Sequence, residues 1–181
     1  MTTEDADREI LRRLARHDIT ALDEAFARYW LPVLSYVTTI ARAPDTAEDI
    51  TQQAFYRLWE RRETLRSEGS VRGFLYHVAR NLTISHRRSV QVRERAVTMH
   101  VLEQPTSVDI DLPYEGLSAD LQWALAALTG RRREILLLHT VDGLGHKEIA
   151  KLLGIAPQTV ANQFSAALND LRRLLAKRRI V

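Results

Sequence analysis

The sequence predicts an all-α protein built as two small helical domains joined by an extended linker. Three observations predict it. Apolar residues recur at three- and four-residue spacing along most of the chain, with almost no β-branched alternation. Glycine is confined to seven of 181 residues. The helical period fades after about Ser89, and residues 96–116 hold Pro105, Pro113 and Gly116 among the acids Glu103, Asp109 and Asp111. The expected domains are 1–92 and 117–181, with 93–116 as the linker.

The elements follow in order. Ile10, Leu11 and Leu14 share one face of a first helix over about residues 4–16. A second helix begins near Thr20, where Thr20 and Asp23 have the spacing of a capping box. Its apolar face holds Leu22, Phe26, Tyr29 and Trp30. Pro32 lacks an amide hydrogen and is expected to kink or restart the helix, which continues through Leu34, Val37 and Ile40. Ala43–Pro44–Asp45 reads as a turn. Thr46 and Asp49 repeat the capping-box spacing ahead of a helix over 46–62 with Ile50, Ala54, Phe55, Leu58 and Trp59 inward. Residues 63–71 read as a polar loop. A helix from about Val71 to Arg88 carries Phe74, Leu75, Val78, Ala79 and Leu82, with core packing expected of Phe74 in particular. After the linker, helices are expected over 118–128, 130–141, 146–153 and 157–178.

Charge and composition exclude several classes. The 26 basic and 23 acidic residues leave a net charge of only +3, but their distribution is uneven. No Lys or Arg lies between Arg95 and Arg131, while both flanks are Arg-rich and the tail carries Arg172, Arg173, Lys177, Arg178 and Arg179. That layout suggests two polyanion-facing modules around a segment of different character. The chain has no cysteine, which removes disulfides, Cys-based zinc sites and thiol nucleophiles. MTTEDADREI is acidic and lacks the apolar core of a signal peptide, and no apolar run nears the ~20 residues of a membrane span. A cytoplasmic protein without membrane insertion is expected. No catalytic residues, metal ligands or cofactor site emerge: there is no P-loop or nucleophile elbow, and His139 and His146 stand seven apart without a metal-ligand motif. The expectation is a protein that is not an enzyme.

The strongest local signal is GLGHKEIAKLLGIAPQTVANQFSAAL, residues 143–168. Gly143 and Gly145 permit unusual backbone before a helix whose inner face is Ile149, Ala150, Leu152 and Leu153. Gly154 suits a left-handed cap, Pro157 suits the first position of the next helix, and Val160 and Phe164 point back inward. Small Ala150 lets the two helices cross closely. This is the logic of a helix-turn-helix, whose second helix enters the DNA major groove. Its expected outward residues are Gln158, Thr159, Asn162, Gln163 and Ser165, amides and hydroxyls suited to base edges and phosphates. An ordinary helical hairpin with a solvated face is the plainer alternative.

At this point the chain resembles a known family. LTGRRREILLLHTVDGLGHKEIAKLLGIAPQTVANQFSAALNDLRRLL is similar to domain 4 of the extracytoplasmic-function (ECF) sigma factors, members of the sigma-70 superfamily. ALDEAFARYWLPVLSYVTTIARAPDTAEDITQQAFYRLWERR resembles their regions 2.1 and 2.2, through Phe26, Tyr29, Pro32, Ala47–Glu48–Asp49–Ile50, Gln53, Ala54, Phe55, Leu58 and Trp59. GSVRGFLYHVARNLTISHRR resembles regions 2.3 and 2.4, with Phe74 where the family usually has Trp.

The resemblance implies an alternative sigma factor that binds bacterial RNA polymerase core and directs recognition and opening of promoter DNA. It assigns the outer face of helix 46–62, with Asp49, Gln52, Gln53, Tyr56 and Arg57, to the polymerase β′ coiled coil, and domain 4 to the β flap. It places capture of an unpaired −10 base between loop 63–72 and Asn81, through Arg66, Ser67, Ser70, Arg72 and Asn81, with Phe74 and Tyr76 nearby. Arg80, His86, Arg87, Arg88 and Arg93 would meet the phosphates of upstream duplex. The helix-turn-helix would read the −35 element, although Ala161, Gln163 and Ala166 stand where the family commonly has Arg or Lys. Weak or atypical −35 binding is the consequence. Asp109, Asp111 and Glu115 of the linker either mimic RNA charge or belong to a plain tether. An anti-sigma partner is a further expectation. One rival is a stand-alone helix-turn-helix regulator, which would bind duplex DNA specifically on its own; a second is an interaction module without DNA contact, which would leave promoter choice unaffected.

Overall fold

The computed structural model describes residues 3–41, 44–66, 69–97 and 118–178. Among them are eight α-helices and no strand: α1 (Thr3–Ala15), α2 (Ile19–Ala41), α3 (Pro44–Glu60), α4 (Val71–Val97), α5 (Ala119–Ala127), α6 (Gly130–Thr140), α7 (His146–Leu153) and α8 (Pro157–Arg178). They form two separate compact bodies, α1–α4 and α5–α8. The acidic linker residues Asp109, Asp111 and Glu115 lie outside the described residues.

In the first body the three- and four-residue spacing becomes a shared core. Ile10 and Leu14 of α1, Val33 and Val37 of α2, Leu58 of α3, and Val71, Leu75 and Tyr76 of α4 are fully buried. Each such side chain contributes about 2 kcal/mol relative to exposure. Buried Thr51 and Thr83 return their hydroxyls to carbonyls one turn back, Ala47 at 2.8 Å and Ala79 at 2.8 Å, so neither hydroxyl is orphaned. Tyr76 rather than Phe74 fills the core: Tyr76 is 1% exposed and packs on Tyr36, 5.0 Å between ring centroids, while Phe74 is half-buried.

Four local expectations are corrected. Thr20 does not open α2. Asp18 does, accepting the Thr20 amide at 2.9 Å and the Thr20 hydroxyl at 2.7 Å. α2 runs through Pro32 without a restart. Pro32 and Arg28, whose carbonyl the missing amide would have met, both lie on the exposed side, where water can serve that carbonyl. α3 begins at Pro44, not Thr46, using proline's fitness for a first helical turn. α4 extends to Val97, past Arg88. Its residues 85–89 and 91–93 are exposed, so the apolar period disappears while the helix continues.

The second body centres on Ile135, Leu138, Ile149 and Val160, all fully buried. Leu125, Leu128, Leu136, Leu137 and Ala167 extend this core, with Leu121, Phe164, Leu168, Leu171 and Leu174 packed against it. Ser118 caps α5 by accepting the Leu121 amide at 3.3 Å. Gly154 ends α7 in the left-handed region, φ 66° and ψ 39°, and Ile155 donates its amide to the Ala150 carbonyl at 3.1 Å. The helix-turn-helix expected from the glycines and Pro157 is therefore α7–α8.

Candidate nucleic-acid interface

The exposed face of α3 is a clean product of helical spacing. Ile50, Ala54, Phe55 and Leu58 are buried, while Asp49, Gln52, Gln53, Tyr56 and Arg57 are all exposed. These five positions fall three and four apart, so they line one stripe. Tyr56 is 65% exposed, a large amphipathic group at the surface. Beside this helix, Phe26 and Trp30 of α2 stack at 4.5 Å, and Phe55 meets them at 4.8 and 5.9 Å. Phe26 remains 40% exposed, which makes this an aromatic cluster reaching the surface.

The segment between α3 and α4 carries the residues expected to hold an unpaired base. Arg66 is exposed, and its carbonyl accepts the Gly69 amide at 2.9 Å. The Ser70 hydroxyl accepts the Gly73 amide at 3.0 Å and so caps α4, and it donates to Asp7 of α1 at 2.8 Å. Its hydrogen bonding is thus committed to structure. Arg72 is half-buried, and its backbone amide also donates to Asp7 at 3.2 Å. Ser67 lies outside the described residues.

Asn81 is exposed on α4, with its amide 3.0 Å from the His77 ring one turn earlier. A rise of about 1.5 Å per residue sets it about 13 Å along the axis from Arg72. The loop and Asn81 therefore mark two points along a track. Half-buried Arg80 and exposed His86, Arg87, Arg88 and Arg93 continue along α4.

On α8, Gln158, Thr159, Asn162 and Ser165 are exposed, and Gln158 donates to the Asn162 side chain at 3.0 Å. Gln163 turns out differently from its expected outward placement. It is half-buried, and its carbonyl oxygen faces Arg132 of α6, which donates at 3.4 Å. Arg132 also ion-pairs with Asp170 further along α8. Across the same junction, His139 of α6 meets Phe164 edge-on at 4.5 Å and gives its other side to the Leu144 carbonyl at 2.8 Å. The two histidines His139 and His146 thus help pack the motif, and among the described residues no group of three or more His, Cys, Asp or Glu could hold a metal ion.

Two family models match this arrangement, sigma-70 region 2 over residues 25–93 and sigma-70 region 4 over residues 118–171. The ECF RNA polymerase sigma factor SigL of Mycobacterium tuberculosis is 30% identical over 158 residues, covering 84% of this chain and 85% of SigL. The chain belongs to the ECF sigma factors. The probable RNA polymerase sigma factor RfaY of Xanthomonas campestris pv. campestris is 31% identical over 173 residues, 90% of this chain but 43% of RfaY, so the chain spans under half of that relative. Two solved structures share the fold: CnrH in complex with the cytosolic domain of CnrY, with a TM-score of 0.69 at 18% identity over 95% of this chain and 98% of that one; and RpoE of Bartonella quintana in complex with the anti-sigma factor NepR, with 0.66 at 21% over 85% and 96%.

In this sigma factor the region 2 match takes in the α3 stripe, the loop residues and the α4 track, while α1 precedes it. Sequence reasoning missed two residues that organise the loop, Asp7 and His17, because a lone acid in an acidic segment and a histidine in a turn carry no spacing signal. It also missed Arg132, whose partners lie 31 and 38 positions away. Among the described residues no helix is long and apolar enough to cross a membrane.

Proposed function

We propose that this chain works as an alternative sigma factor: it docks on core RNA polymerase through the α3 stripe, holds the opened −10 strand along the loop and α4, and reads upstream duplex with α8. The observation that carries this reading is the pairing of a region 2 body and a region 4 body in one chain, in that order. The five exposed polar positions on α3 support the docking assignment, since such a stripe offers hydrogen bonds and one aromatic anchor of the kind enriched at interfaces. The track on α4 supports strand capture. Arg66 and Arg72 at its start, Asn81 in the middle and Arg87 with Arg88 beyond offer phosphate and base contacts spaced over several nucleotides. Polymerase supplies all the chemistry in this scheme.

Duplex reading by α8 rests on Gln158, Thr159, Asn162 and Ser165. The half-buried Gln163 contributes through Arg132 instead of reaching a base itself. The β flap is the proposed seat of the second body, and the cytoplasm its place of work. Two proteins of this fold are seen in complexes, CnrH with the cytosolic domain of CnrY and RpoE with the anti-sigma factor NepR. An anti-sigma partner for this chain is part of the same proposal, and co-purification from the native host tests it. Nothing favours the stand-alone regulator.

Run-off transcription with purified core enzyme decides the matter. Adding this protein should create initiation at promoters that core alone ignores. An unchanged initiation pattern, or no association with core, overturns the reading.

A further inference from the structure

Helix α1 lies outside the matched region 2 segment, yet it touches the α3–α4 connection at both ends and in the middle. At the far end, the Asp7 carboxylate is 2% exposed and receives three donors. Tyr29 of α2 donates its hydroxyl at 2.5 Å, Ser70 its hydroxyl at 2.8 Å, and Arg72 its backbone amide at 3.2 Å. In the middle, a side chain added at Gly69 would come within 3.6 Å of the Leu11 methyl and 3.0 Å of the Arg66 carbonyl, so α1 and the loop backbone are already closely apposed. At the near end, His17 follows α1 with φ 62°, a left-handed backbone rare outside glycine. Its Nδ1 accepts from Arg62 Nε at 3.0 Å, and its Nε2 faces Glu63 at 3.3 Å. Arg62 is itself laid over Trp59, 4.3 Å from the ring centroid, and donates to the Trp59 carbonyl at 2.8 Å.

These contacts bracket the connection. His17 fixes its start at Arg62 and Glu63, Leu11 abuts its middle, and Asp7 fixes its end at Ser70 and Arg72. A carboxylate buried with three donors is far costlier to leave half-satisfied than an exposed one. The strained backbone at His17 persists only where surrounding contacts hold it. We infer that α1 is a splint for the strand-capture loop, and that Asp7 and His17 are positioning residues that set the shape in which Arg66 and Arg72 meet single-stranded DNA. The inference rests on the strand-capture reading given above. It adds a reason for that loop to be preshaped: ordering a loop on binding subtracts from affinity, whereas a loop already held loses little.

The test uses the full chain, free and in holoenzyme. Asp7→Asn keeps the volume but removes the charge and leaves one acceptor oxygen for three donors, Tyr29, Ser70 and the Arg72 amide. Hydrogen exchange of the free protein should speed up about tenfold for the amides of Gly69, Arg72 and Gly73, with those of α3 unchanged. In holoenzyme, a labelled single-stranded −10 oligonucleotide should bind about tenfold more weakly, while affinity for core stays within about twofold.

Unchanged exchange in the loop overturns the splint. So does an equal loss of core and oligonucleotide binding, which marks a general folding defect. Arg66→Ala and Arg72→Ala separate the two ideas. If they weaken oligonucleotide binding and Asp7→Asn does not, the splint inference fails alone. If neither arginine matters, the strand-capture reading fails, and with it the positioning role.

Discussion

Arg133 Nε donates to the carbonyl of Leu125 at 2.7 Å, from the first turn of α6 to the last turn of α5. The same guanidinium reaches the carbonyls of Ala126 and of Leu128, the latter at 3.0 Å. Arg133 is 4% exposed. A helix ends with carbonyls short of intrahelical partners, and here one planar cation reaches three carbonyls where only Leu128 and Thr129 separate the helices, the Leu125 carbonyl also accepting the Leu128 amide at 3.2 Å. The fork geometry of Arg suits this task and the point charge of Lys does not.

Arg133→Met should therefore destabilise the second body by about 3 kcal/mol, since buried carbonyls lose a charged donor and gain nothing. Amide exchange in α5 and α6 measures it. Arg133→Lys should recover only part of the loss. A full recovery would mean that charge alone matters and that the three-way grip does not.

Much of the second body was legible because its punctuation is chemical. Gly154 and Pro157 fix the α7–α8 corner by backbone demands that few other residues meet, so the observed bounds of α7 and α8 coincide with the expected ones. The α2 start departs from the local rule for a physical reason. Thr20 and Asp23 satisfy the local rule, but Asp18 wins the cap because Arg13 braces it at 2.8 Å and Glu24 braces Arg13 in turn at 2.8 Å. The α4 extension was invisible because its exposed residues have no apolar period to detect. Helical phase alone points Gln163 outward, and α6 covers that phase. Asp7 carries no local signal at all, since its donors lie 22, 63 and 65 positions away.

Gly154 supplies a prediction about backbone alone. Nothing lies within 4 Å of where its Cβ would stand, so a substitution meets no clash. Its φ of 66° is the whole difficulty. Gly154→Ala should destabilise the second body by about 1 kcal/mol, and Gly154→Val by more, because a branched side chain tolerates that region least. Gly154→Asn should be the mildest replacement. Denaturant melts of the three variants give the order, and a cost for Ala equal to that for Val would point to packing instead of backbone.

Asp18 makes a prediction about acid. The Thr20 hydroxyl bond, followed by the Arg13 bond, lowers its carboxyl from an ordinary value of 3.8 to about 2. A depressed folded-state value means that the contribution to stability is present above about pH 4 and is lost as pH falls through about 2. The Thr20 amide reports this directly, because it donates to the same carboxylate. Its chemical shift should titrate with a midpoint near 2, and Arg13→Leu should move that midpoint upward. A midpoint unmoved by Arg13→Leu would show that the hydroxyl acts alone.

The charge on α8 sets the last expectation. No Lys or Arg stands between Lys151 and Arg172, so the exposed face of Gln158, Thr159, Asn162 and Ser165 brings no cation to the duplex. Arg132, whose guanidinium lies against Gln163, is already paired with Asp170. Phosphate neutralisation is what makes DNA binding salt-dependent, about 0.9 in the log–log slope per phosphate. Duplex binding by this helix should therefore be weak with a shallow slope, its selectivity carried by hydrogen bonds. Ser165→Arg puts one cation on the exposed face and should steepen the slope by about 0.9 while strengthening binding to all sequences alike. Asn162→Ala should leave the slope as it is and cost about 1–3 kcal/mol of discrimination at one base pair. Fluorescence anisotropy of upstream duplex across a salt series, with the full chain, separates the two effects. A steep slope in the unaltered protein would mean that cations elsewhere, such as Arg172 and Arg173 or the arginines of α4, dominate the phosphate contact, whereas unchanged discrimination in Asn162→Ala would show that the assignment of duplex reading to the first turns of α8 is wrong.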